Sequence, residues 1–100
     1  MYLIRNIMFC KPAHAKPMVE SFKLMVAATA KAGFKINQRI MTDVAAERYW
    51  TVVMEMEVEN LDIPDQIMKK VSEDPEIMKT MKDYHEHIES GRREIYKLEN

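Results

Sequence analysis

Few side chains in this chain of 100 residues are suited to chemistry, and their spacing narrows what they can do. His85 shares a stripe with Ile77, Met78, Met81, Tyr84 and Ile88 at helical spacing, which puts an imidazole on an otherwise apolar face. Imidazole is the side chain that titrates nearest neutrality, so in an apolar pocket it can move a proton to or from a phenolic substrate. Asn6, predicted to face the same space, would orient a substrate oxygen; the candidate catalytic pair is therefore His85 and Asn6. The structural alternative is a core histidine hydrogen-bonded to a backbone carbonyl or a tyrosine. His85 and His87, two apart on a helix, point in different directions and cannot easily share an ion, so His87 is expected in solvent. His85 with Glu89 is better spaced, but two ligands without a third do not make a metal site, and none is expected. Cys10, the one cysteine, cannot form an internal disulfide. It reads either as a thiol nucleophile or, more commonly for such a position, as a buried residue at a strand end.

Those side chains need a scaffold, and hydrophobic periodicity supplies one. A helix is predicted from about His14 to Ala32, with Met18, Phe22, Met25 and Val26 on one face and Thr29 continuing it. Pro17 suits only its first turn. A second helical region begins near Pro64 and is broken at Asp74-Pro75-Glu76, where Asp74 is the natural cap of a new helix. Gly33 and Gly91 follow the two long segments, where left-handed helix-ending residues are expected. Strands rich in β-branched, aromatic and methionine residues are predicted at Tyr2–Cys10, Phe34–Asp43, Tyr49–Val58 and Arg92–Leu98, the middle two forming a hairpin. The order is β-α-β-β-α-β, an α+β fold in one domain spanning residues 1–100.

Alternation along each strand then assigns faces. Ile36, Ile40, Trp50, Val52, Met54, Met56 and Val58 should face the helices, as should Tyr2, Ile4, Asn6, Met8 and Cys10. A pocket between sheet and helices would be lined by Met8, Phe22, Met25 and Trp50, together with Met54, Met81 and Tyr84. Ten methionines suit either a pliable pocket or plain core filling. The opposite sheet face carries Leu3, Ile7, Phe9, Met41 and Val53, too apolar for water, and a second copy of the chain would cover it. In the strand order 4-1-3-2, usual for this element order, Glu55 falls between Arg5 and Arg39 on that face. Such a row is structural at a dimer interface; its functional rival is an anionic substrate held by the two arginines.

Composition excludes other classes. Fifteen basic residues against sixteen acidic ones leave a net charge of −1 with the signs interleaved, a poor basis for binding nucleic acid. No apolar run approaches the ~18 residues of a membrane span, and Arg5 and Asn6 interrupt the only early one. A cytoplasmic location is expected. No Gly-rich phosphate loop, nucleophile elbow or CxxC pair is present, and no cofactor is expected.

Several strings carry a resemblance: Met41-Thr42-Asp43, Thr51-Val52-Val53 with Glu55 and Glu57, Asp74-Pro75-Glu76, and Gly91-Arg92-Arg93-Glu94-Ile95-Tyr96. Together with the element order they resemble the dimeric α/β-barrel proteins, in particular their NIPSNAP-like and antibiotic-biosynthesis-monooxygenase-like groups. The resemblance spans almost the whole chain. It implies ferredoxin-like subunits paired sheet to sheet, each with a small pocket between its own sheet and helices. Some members are cofactor-independent oxygenases of aromatic substrates, others degrade heme, and many have no established activity. The heme-degrading members place an asparagine on the first strand and a histidine on the second helix, as Asn6 and His85 are placed here. They also use a tryptophan early in that helix, whereas the one tryptophan of this chain, Trp50, lies elsewhere. The expectation is a homodimer binding a small apolar or aromatic molecule, with a cofactor-independent monooxygenase or a non-catalytic structural subunit as alternatives.

Overall fold

The computed structural model describes all 100 residues. The chain runs β1 (Tyr2–Cys10), α1 (Ala15–Lys31), β2 (Gln38–Thr42), β3 (Thr51–Val58), α2 (Ile63–Val71), α3 (Pro75–Asp83), a 3₁₀ turn (Tyr84–Glu86) and β4 (Ile88–Lys97). The strands form one antiparallel sheet ordered β2-β3-β1-β4, the ferredoxin-like α+β arrangement. No helix is long and apolar enough to cross a membrane.

The helices form where the residues dictate. The side chain of Asp74 accepts a hydrogen bond from the Glu76 N–H at 2.9 Å, and Pro75 occupies the first position of α3, where its missing donor costs nothing. Thr29, buried in α1, turns its hydroxyl back to the Met25 carbonyl at 2.8 Å and so leaves no polar atom unpaired. At the end of that helix Gly33 has φ +96°, the left-handed conformation that glycine adopts without strain.

Packing follows the alternation of the strands. Ile4 on β1 and Val52, Met54, Met56 and Val58 on β3 are buried against Met18 and Phe22 of α1. Each such side chain contributes about 1.5–3 kcal/mol through removal from water. A second cluster, Ile67, Val71 and Ile77, fastens α2 and α3 to Met25, Ala28 and Phe34. The molecule is 37 × 34 × 17 Å. Its thin dimension holds one sheet and one helix layer, so the other sheet face has nothing of this chain laid across most of it.

Four boundaries differ from expectation, each for a local reason. Strand β2 is confined to Gln38–Thr42; Phe34–Asn37 precede it outside the sheet, although Asn37 still holds Glu57 through backbone and side-chain hydrogen bonds of 3.1 and 2.9 Å. Strand β3 begins at Thr51 because Trp50 has φ +61°, which interrupts the pleat. The helix that should have run on through His85 ends at Asp83 and tightens into the 3₁₀ turn, so the apolar stripe does not continue to His85. Gly91 ends no helix. It lies within β4 opposite Met8, and that strand starts at Ile88, with a bulge where Phe9 pairs Ser90 and Cys10 pairs Ile88.

Candidate functional site

A cavity of about 220 Å³ opens between the sheet and the helices. Its floor is β1 and β4: Asn6 and Met8 point up from one strand, Arg93 from the other. Helix α1 contributes Met18, Ser21, Phe22 and Met25, spaced three and four apart so that they share a face. Met68 of α2 and Thr80, Met81 and Tyr84 from the third helical region close the far side. The walls are largely thioether and aromatic, with Ser21 and Thr80 on the helix side and, on the sheet side, Arg93 Nε donating to Asn6 Oδ1 at 2.9 Å.

Of the residues expected in this pocket, Asn6, Met8, Phe22, Met25, Met81 and Tyr84 line it. Three do not. Met54 is buried in the core beneath α1. Trp50, 42% exposed, belongs to a different, open depression of about 650 Å³, where it and Tyr49 face Lys16, Val19 and Glu20 of α1. His85 is exposed, its ring tilted on that of Tyr84 with centroids 4.0 Å apart, and it is not among the side chains around the cavity. A general base must reach the proton it takes. His85 stands behind Tyr84, so the structure does not bring it together with Asn6.

Two functional features escaped the sequence reading. Arg93 was not singled out, though in the antiparallel register it lies opposite Asn6 and therefore shares its face. His87, expected in solvent, is half-buried, with Nδ1 3.1 Å from Nδ1 of His14. No three or more His, Cys, Asp or Glu side chains converge as metal ligands would. Cys10 is 4% exposed at the end of β1, and burial pushes its thiol pKa up, so the neutral form prevails.

On the open face the register lines up a row of alternating charge, Glu94–Arg5–Glu55–Arg39. Glu55 lies 2.8 Å from Arg5 and 2.7 Å from Arg39, and Arg5 is 3.5 Å from Glu94. The two arginines are thus neutralised by carboxylates. Beside this row lie Leu3, Ile7, Phe9, Met41 and Val53, with the Arg48 guanidinium 4.3 Å from the centroid of the Phe9 ring.

No protein-family model matches the chain, and no curated protein matches it in sequence. Solved structures match its fold. An uncharacterised NIPSNAP-domain protein from Burkholderia xenovorans superposes with a TM-score of 0.76 at 8% identity, covering 98% of this chain and 94% of that one. A NIPSNAP family protein from Agrobacterium tumefaciens gives 0.76 at 13% identity, covering 96% and 90%. An antibiotic biosynthesis monooxygenase gives 0.75 at 12% identity, covering 98% of both chains. Identity this low carries architecture and not activity. The resemblance drawn from the sequence therefore holds at the level of fold: this chain has the ferredoxin-like α+β architecture of NIPSNAP-domain and antibiotic-biosynthesis-monooxygenase-like structures.

Proposed function

We propose that this protein is a cytoplasmic homodimer that binds a small apolar or aromatic molecule in the cavity between its sheet and helices. The observation that carries the reading is the cavity itself. About 220 Å³ is left open between Met18, Phe22, Met25, Met68 and Met81, side chains flexible enough to have closed it. A dry cavity of about 150 Å³ already suffices for benzene, so this one has room for a single ring with a substituent. The lining is mostly apolar with a few polar groups, the usual character of a small-molecule site.

Pairing of two subunits through the open sheet faces rests on two features. Beside the charged row the face carries half-buried Leu3, Phe9, Met41 and Val53 and exposed Tyr96, while Ile7 is already buried within the chain, and the partly exposed apolar side chains are poorly covered by water. The row is also self-complementary: turned about a two-fold axis, Glu94–Arg5–Glu55–Arg39 meets Arg39–Glu55–Arg5–Glu94, opposite signs at every position. The oxygenase alternative rests on likeness of fold, since His85 lies outside the cavity.

The test is a thermal-shift series with single-ring aromatics on the purified protein, run beside light scattering. Stabilisation that saturates, and a mass of two chains at micromolar concentration, are expected. A monomer mass would remove the dimer. Failure of every single-ring compound to raise the melting temperature would remove the binding site.

A further inference from the structure

The cavity holds one fixed positive charge and no negative one. Four of the five arginines have a carboxylate within 3.5 Å: Arg5 with Glu55 and Glu94, Arg39 with Glu55, Arg48 with Glu89, and Arg92 with Glu94. Arg93 is the exception. It makes no salt bridge, and its one side-chain hydrogen bond is from Nε to the neutral amide oxygen of Asn6. That bond fixes the plane of the guanidinium and leaves its two terminal nitrogens unpaired. No Asp or Glu is among the residues around the cavity, so nothing there neutralises the charge.

Neighbouring Arg92 shows that this is not for want of partners along β4. Alternation sends Arg92 to the open face, where Glu94 meets it at 3.0 Å, and sends Arg93 to the helix side, where the chain offers only an amide. The site is also inexpensive to charge. Arg93 is exposed, so it sits at the mouth and keeps its hydration, while the apolar walls lie deeper.

We infer that the ligand of this cavity is a monocarboxylate: an aromatic ring or a short apolar segment enters among the methionines and Phe22, and its carboxylate takes both terminal nitrogens of Arg93 at the mouth. The fork of a guanidinium matches a planar carboxylate with two parallel hydrogen bonds. Asn6 acts as a positioning residue that holds the fork in plane. This inference rests on the cavity being the binding site and adds the chemical class of its occupant.

The experiment compares 3-phenylpropionate with 3-phenylpropanol, which share ring and chain but differ in charge, by calorimetry on the purified protein. The acid is expected to bind at least about ten-fold more tightly, the worth of one charge-assisted pair. Arg93→Gln should bring acid and alcohol to equal affinity, whereas Arg93→Lys, which keeps the charge and loses the fork, should retain part of the preference. Melting temperatures of the ligand-free variants establish that both fold. Equal affinities in the wild-type protein, or a preference for the acid that survives in Arg93→Gln, would overturn the inference while leaving the apolar site standing. Binding of neither compound would remove the site and the inference together.

Discussion

Nδ1 of His14 and Nδ1 of His87 stand 3.1 Å apart, with ring centroids separated by 5.4 Å. Two imidazole nitrogens at this distance share one proton: one ring donates its N–H and the other accepts through a lone pair. The contact joins the residue before α1 to the residue before β4. Lys11 reinforces it by donating its backbone N–H to the His87 carbonyl at 2.9 Å. His87 in turn donates its backbone N–H to the carbonyl of Tyr84, a wall of the cavity, so the histidine pair fixes that wall against the start of α1.

Replacing either histidine by alanine is expected to cost about 1 kcal/mol, the net worth of one hydrogen bond and its packing. The double variant should cost less than the sum, because the second substitution removes a partner already lost. Urea denaturation of the wild type, both single variants and the double variant closes the cycle. Strict additivity would show that the contact is not a bond.

Glu55 is 8% exposed and stands between two guanidinium groups. Glu55→Gln keeps the shape but leaves Arg39 without a carboxylate and Arg5 with only the longer contact to Glu94, and a loss of about 1–3 kcal/mol is expected. Arg39→Gln should cost under ~1 kcal/mol, since that arginine is largely in solvent. If two subunits meet across this face, Glu55→Gln also weakens the dimer, which sedimentation velocity across a dilution series would detect. Equal costs for the two substitutions would contradict the assignment of Glu55 as the centre of the row.

How much of this is legible in the sequence follows from what alternation and helical spacing can carry. Arg5, Glu55 and Arg39 fell on one row because strand order and parity fix it, and Asn6, Met8, Phe22, Met25, Met81 and Tyr84 followed their local periods into one cavity. The misses sit where the period changes. Trp50 has φ +61° and steps out of the pleat; His85 lies past the point where α3 becomes a 3₁₀ turn and the angle per residue alters. Gly91 looked like a helix end because a glycine after a long polar helix usually is one, and only the pairing with Met8 reveals a strand. Arg92 and Arg93 point to opposite faces in any strand that contains both, but only the register, which sets Arg93 opposite Asn6, brings Arg93 to the cavity.

At Gly91, an added Cβ would lie 3.0 Å from Met8 Sδ and 3.4 Å from the Ile7 carbonyl oxygen. Met8 is a flexible side chain that lines the cavity, so it can give way only by moving within that space. Gly91→Ala is therefore expected to cost no more than about 1–2 kcal/mol in stability. Its larger effect should be on ligand, with affinity for a single-ring aromatic lowered several-fold as Met8 takes up room. Calorimetry beside urea denaturation separates the two effects, and undiminished affinity would place the ligand away from Met8.

The Cys10 thiol gives the stability of the fold a pH dependence with a definite sign. Burial raises its pKa above the ordinary 9.0, because the low-dielectric interior disfavours the thiolate. In the unfolded chain the thiol ionises first, so above pH 9 the unfolded state holds fewer protons than the folded one. The contribution of Cys10 is therefore level at neutral pH, declines as pH passes the unfolded value, and is lost by the time the folded value is passed. Comparing urea midpoints at pH 7 and pH 10 for the wild type and Cys10→Val isolates it from the rest of the chain. The wild type should lose more stability than the variant, and native Cys10 should react slowly with thiol reagents at pH 7 and readily once unfolded. A pH dependence identical in the two proteins would mean that the thiolate is accommodated where Cys10 sits.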